Sequence, residues 1–99
     1  MNMNALMQQA QKMKKDIEKK QEEIYNSEFT GSSELVDITI HGNKKVKKVT
    51  LKNVKSLDEE DIEILEDMIK IAMNDAISKV DKETESKLGA YGNQLGGLF

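Results

Sequence analysis

The stretch IEILEDMIKIAMNDAISKV, residues 62–80, holds eleven apolar residues in nineteen positions. At about 100° per residue, Ile62, Leu65, Ile69, Ala72, Met73, Ala76 and Val80 fall on one stripe, the pattern of a helix lying on a core. Ile64, Met68 and Ile71 gather roughly opposite, and Glu63, Asp67, Lys70, Asn74 and Ser78 separate the two patches on one side. One face can cover the chain's own sheet. The other needs a further partner, either the second long helix of the chain or another copy of it. Length and composition favour dimerisation, because 99 residues with no Trp, two Phe, two Tyr and 33% charged residues build only a thin monomeric core.

Upstream of this helix the hydrophobic period changes from 3.6 to 2. Residues 35–41 alternate, with Val36, Ile38 and Ile40 on one face. A Gly42-Asn43 pair then turns the chain into residues 45–52. Val46 and Val49 are three apart and point to opposite sides of an ideal strand, so a bulge belongs near Val46, or Val46 belongs to the turn. Val49 and Leu51 are expected to face inward. Residues 27–33, with Phe29, Thr30 and Gly31 between polar neighbours, read as a short edge strand or extended link.

At the start of the chain, Met3, Leu6, Ala10, Met13, Ile17 and Ile24 recur in steps of three and four, and Lys20 breaks the seam once. This spacing predicts a helix over residues 4–25 with a heptad seam, with Asn4 as its N-cap. At 1.5 Å per residue it is about 33 Å long, longer than any strand of this chain, so part of it projects beyond the sheet. Ser56 or Asp58 caps the second helix, and the acids Asp58, Glu59, Glu60 and Asp61 occupy its first turn, where the helix dipole favours them. Past Val80 that helix turns polar and leaves the core. Residues 88–99 are expected to form a mobile Gly-rich tail holding four of the six glycines. The architecture is a single α+β domain over residues 1–99: long N-terminal helix, three-stranded antiparallel sheet, long C-terminal helix.

Charge is unevenly placed. Residues 1–55 carry eleven Lys against seven acids, while residues 56–99 carry four Lys against eleven acids, so the halves have opposite signs. Binding to a polyanion follows local patches more than totals. All fifteen basic residues are Lys, and without Arg the usual bidentate reading of guanine is missing. The absence of Cys removes disulfides and thiolate metal sites and fits a reducing compartment. No apolar run has the length of a signal peptide or a membrane span, which points to a cytoplasmic protein.

Three segments stand in a particular order: LMQQAQKMKKDIEKKQEEI at residues 6–24, VDITIHGNKKVKKVTL at 36–51 and LEDMIKIAMNDAISKV at 65–80, followed by a Gly-rich end. With this order and spacing the chain resembles the YbaB/EbfC family of bacterial nucleoid-associated proteins, and the resemblance covers nearly the whole length. It implies a homodimer whose sheets and second helices form the joined centre while helical arms extend like tweezers. It also implies binding of double-stranded DNA in the bacterial nucleoid, with little or modest sequence preference.

Lys12, Lys15 and Lys19 lie on the outer side of the first helix, away from the seam, with Lys14 nearby. They are phosphate-contact candidates, or else a solvated helix face. Lys44, Lys45, Lys47 and Lys48 begin the densest basic run, either a second phosphate surface or an edge strand guarded by lysine against aggregation. Lys79 and Lys82 are weaker candidates, diluted by Asp81, Glu83 and Glu85. For the dimer interface the candidates are Ile64, Met68 and Ile71, with Met13 and Ile17 of the first helix. His41 has no Cys or second His to share a zinc ion. Asn74 and Asp75 read as hydrogen-bonding residues, and the acids from Asp58 to Asp67 lack the spacing and glycine of a calcium loop. No nucleophile and base, phosphate loop or metal cluster can be assembled, so no enzyme activity, metal, cofactor, membrane or small-molecule substrate is expected. The alternative function is a protein interaction module, with the acidic second-helix start and the seam docking onto a partner.

Overall fold

In the computed structural model the backbone is described for residues 2–95 and side chains for residues 2–91. The order is α1 (Met3–Asn26), β1 (Glu28–Ser32), β2 (Val36–His41), β3 (Val46–Leu51) and α2 (Glu59–Leu95), the α+β arrangement expected. The strands form one antiparallel sheet in sequence order.

Local chemistry sets the boundaries. Asn2, rather than Asn4, caps α1: its side chain accepts from the Asn4 backbone N–H at 3.0 Å. At the other end the Ser27 hydroxyl donates to the Glu23 carbonyl at 2.7 Å. Asp58 caps α2 by accepting from the Asp61 N–H at 3.0 Å, and Asp61 returns the favour by accepting from the Asp58 N–H at 3.3 Å. This reciprocity resembles a capping box and satisfies donors the helix leaves open.

The bulge falls where the valine spacing places it. Thr39 pairs with Lys48 and Ile40 with Val46, so Lys47 is the extra residue. With Lys47 out of step, Val46, Val49 and Leu51 stand opposite Ile40, Ile38 and Val36 and share their face of the sheet.

The core lies between that face and α2. Val36, Ile38 and Ile40 are buried with Ala72, Ala76 and Val80, and Phe29, Leu35, Leu65, Met68, Met73 and Ile77 pack around them. Each fully buried Val or Ile contributes on the order of 2 kcal/mol. The helix sits close over β1 because small residues meet there: a Cβ on Gly31 would lie 2.0 Å from the Ala72 carbonyl oxygen and 2.3 Å from the Ala76 nitrogen.

That seating corrects the expected core stripe. Among the described residues α2 touches β1 and β2 and does not reach β3, so the flank of the stripe toward β3 has nothing over it. Ile62 and Ile69 are exposed, whereas Met68 and Ile77 pack on the core. Val49 and Leu51 are likewise not inward in the sense expected. They face the core side of the sheet but, with Val46, remain 49–53% exposed.

α2 also corrects the expected tail. The helix continues through Gly89 to Leu95, and Leu88 is buried. Beyond the sheet, α1 and α2 pack antiparallel: the Lys20 ammonium donates to the Tyr91 hydroxyl at 3.2 Å, and Lys87 lies 4.0 Å from Glu23. Residues 96–99 of the expected tail lie outside the described residues. The molecule measures 70 × 20 × 14 Å, which is the sheet plus a helical arm.

Asp75 and Lys79 of α2 close the outer edge of β1. The Ser32 N–H donates to Asp75 at 3.0 Å, and the Lys79 ammonium donates to the Thr30 carbonyl at 2.6 Å. The Ser32 bond, together with Lys79 and Lys82, holds the Asp75 carboxyl below the ordinary carboxylate range. Its contribution is therefore full above the ordinary aspartate value and is lost as pH falls through the lowered one.

Candidate nucleic-acid interface

The distal part of α1 is a helix end that stands clear of the fold. Residues 2–12 are exposed throughout, and only Met13 and Ile17 are half-buried before the packed region begins. The first eleven residues carry no charge, Lys12, Lys14 and Lys15 follow, and the first acid is Asp16. Helical spacing puts Lys12, Lys15 and Lys19 on the side away from Ile17 and Ile24, with Lys14 on one flank. Among the described residues none of these four lysines has a carboxylate within 4.0 Å.

Lys44 and Lys45, unpaired among the described residues, lie in the β2–β3 turn at the base of the arm. The Lys44 N–H donates to the His41 carbonyl at 2.8 Å and the His41 N–H to the Lys45 carbonyl at 2.9 Å, closing the hairpin. The Asn43 side chain accepts from the Lys45 N–H at 3.0 Å. The turn is pressed onto the end of α1: the Gly42 N–H donates to the Ser27 carbonyl at 3.1 Å, and a Cβ on Gly42 would lie 1.9 Å from the Ile24 carbonyl oxygen. Lys44 has φ +70°, a left-handed conformation that disfavours any residue with a Cβ. Lys44→Gly is accordingly expected to raise stability by roughly 1 kcal/mol, read as a higher urea midpoint with an unchanged slope.

The other candidates are divided by ion pairing. Lys47 pairs with Glu28 across the sheet and holds that carboxyl below its ordinary range. Lys79 is occupied by Asp75 at 3.5 Å and by the Thr30 carbonyl. Lys48 and Lys82 are exposed and, among the described residues, unpaired. The unpaired lysines thus concentrate on α1 and the β2–β3 turn. The pairing of Lys47 with Glu28 escapes sequence reasoning because it depends on the register of all three strands.

The apolar candidates also separate. Met68 belongs to the margin of the core. Ile64 and Ile71 are about half exposed, on the flank of α2 that carries Asp75. On the opposite flank Ile62 and Ile69 continue the uncovered face of Val46, Val49 and Leu51. None of the interface candidates included that combined surface, because Val49, Leu51, Ile62 and Ile69 all read from the sequence as core residues.

The family model for the YbaB/EbfC DNA-binding family matches residues 1–95. This chain belongs to that family. Among its relatives, a nucleoid-associated protein of Streptococcus agalactiae is 44% identical over 97 residues, covering 96% of this chain and 97% of the relative. A nucleoid-associated protein of Lactococcus lactis is 43% identical over 93 residues, covering 92% of this chain and 93% of the relative. The fold is similar to the crystal structure of an uncharacterized protein from Helicobacter pylori, with TM-score 0.69 and 21% identity over 97% of this chain and 99% of that one. This YbaB/EbfC chain therefore shares both its sequence pattern and its helix–sheet–helix order with bacterial proteins. Among the described residues, no helix is long and apolar enough to cross a membrane.

Proposed function

We propose that this YbaB/EbfC chain works as a homodimer that binds double-stranded DNA through lysine contacts to phosphate, with little sequence preference. Its place is the nucleoid in the bacterial cytoplasm, in DNA organisation or gene regulation, as the names of its streptococcal and lactococcal relatives suggest. One observation carries the reading: Lys12, Lys14 and Lys15 stand on a projecting helix in a stretch without acids, unpaired among the described residues. Such lysines are already free to neutralise phosphate, with no ion pair to break first. Lys19, Lys44, Lys45, Lys48 and Lys82 can add to the surface, while Lys47 and Lys79 must first leave their partners.

The dimer reading is supported by the uncovered face of Val46, Val49 and Leu51 beside Ile62 and Ile69. A second copy placed there would bury apolar surface that one α2 leaves open. The competing interfaces are the flank of Ile64 and Ile71 and the α1 seam of Met13 and Ile17.

The test is a titration against duplexes of unrelated sequence at several salt concentrations, with the mass in solution measured alongside. Three such lysines on each of two arms predict a slope of log affinity on log salt near −5, at about 0.9 per neutralised phosphate. A dimer that binds no duplex at low salt would sink the DNA reading. It would favour a protein interaction module, for which the groove of about 270 Å³ lined by Leu35, Val54, Leu57, Ile64 and Leu65 beside the acidic α2 start is the relevant feature.

A further inference from the structure

The arm carries a second kind of side chain that phosphate binding does not use. In a chain with 33% charged residues, positions 1–11 have none, and five of those positions are Asn or Gln. A solvated helix end gains stability from Glu and Lys pairs at i,i+4, and this stretch forgoes them. Asn4, Gln8 and Gln11 are exposed and lie in steps of four and three. They therefore share the face that continues into Lys12 and Lys15.

From this placement we infer that Asn4, Gln8 and Gln11 are base-reading residues of a helix that enters the DNA major groove. The inference rests on the DNA reading above and adds to it the source of whatever sequence preference the protein has. A carboxamide offers one donor and one acceptor side by side, which matches the N6–H and N7 of adenine. A helix is about 10–12 Å across with its side chains, and the major groove is about 12 Å wide. From Asn4 to Lys15 the stripe runs about 16 Å, roughly five base pairs at ~3.4 Å each. The lysines at its inner end sit where the groove wall of phosphates begins, while the amides reach the floor. Met7, one turn before Gln11 and well exposed, supplies an apolar edge for a thymine methyl. No carboxylate lies on the arm before Asp16 to repel the backbone. Lysines supply the affinity and the amides supply a preference for adenine-containing steps.

The experiment is selection from a pool of random duplexes with the full chain, the Gln8→Ala/Gln11→Ala variant and Lys15→Gln. Alanine is a better helix former than glutamine, so the double variant keeps the arm helical, as circular dichroism would verify. The wild type is expected to enrich runs of about five A·T pairs about tenfold over the pool mean. The double variant should bind the pool mean within about twofold and with the same salt slope, but lose the enrichment. Lys15→Gln should flatten the slope and keep the enriched runs. Steep salt-dependent binding without enrichment by the wild type would overturn the inference alone, as would enrichment that survives in the double variant. Failure to bind any duplex at low salt would remove the DNA reading and this inference together.

Discussion

Gly31→Ala is expected to destabilise the chain more than any other single substitution considered. The new methyl would meet backbone atoms of α2, the Ala72 carbonyl and the Ala76 nitrogen, at 2.0 and 2.3 Å, so neither a rotamer change nor a small shift can accommodate it. α2 must retreat from β1 by more than an ångström. That movement opens the contact of Ala72, Ala76 and Val80 with Val36, Ile38 and Ile40, the buried cluster between α2 and the sheet. Strain of this kind typically costs 1–3 kcal/mol, and the loosened core adds to it, so a loss of roughly 3–5 kcal/mol is expected. A small domain has only about 5–15 kcal/mol in total. Urea denaturation followed by circular dichroism measures the loss. Gly89→Ala is the control: among the described residues its methyl meets only the Glu85 Cγ, at 3.4 Å, within a helix, so stability should rise by up to about 1 kcal/mol. A Gly31→Ala protein as stable as the wild type would mean that α2 does not sit on β1 in this way.

The second large effect concerns assembly. Val49→Asp with Leu51→Asp places two charges on the uncovered half of the sheet, where a monomer barely notices them because both residues are already about half exposed. A dimer joined through that face would have to bury both carboxylates without partners, which costs several kcal/mol. The mass in solution should fall to that of one chain while the circular dichroism spectrum is retained. DNA affinity should drop about a hundredfold, since two linked arms bind far better than one. A variant that stays dimeric would move the interface to the flank of Ile64 and Ile71 or to the seam of α1.

Much of the fold can be read from local pattern. The period of residues 62–80, the Gly42-Asn43 turn and the odd spacing of Val46 and Val49 yield α2, the hairpin and its bulge with no further information. What local pattern cannot supply is where α2 sits across the sheet. That is decided by Gly31 meeting Ala72 and Ala76, residues more than forty positions apart, and it determines that Ile62, Ile69, Val49 and Leu51 stay uncovered. The far end of α2 follows the same logic. Gly89 reads as a helix end, but Leu88 is buried and Tyr91 meets Lys20 of α1, and that long-range packing overrides the local propensity. The lysine candidates were legible as a set and not as individuals. Lys47 and Lys12 look alike in sequence, and only the strand register brings Glu28 to one of them.

In the proposed mode of binding, the unpaired lysines of α1 neutralise DNA phosphate while the ion-paired ones do not. Its most direct test compares salt slopes of duplex affinity for the wild type, Lys12→Gln/Lys15→Gln and Lys47→Gln/Lys79→Gln. The slope should be shallower by about two per chain for the arm variant and nearly that of the wild type for the paired-lysine variant. An unchanged slope for the arm variant, or the larger loss in the paired-lysine variant, would contradict it.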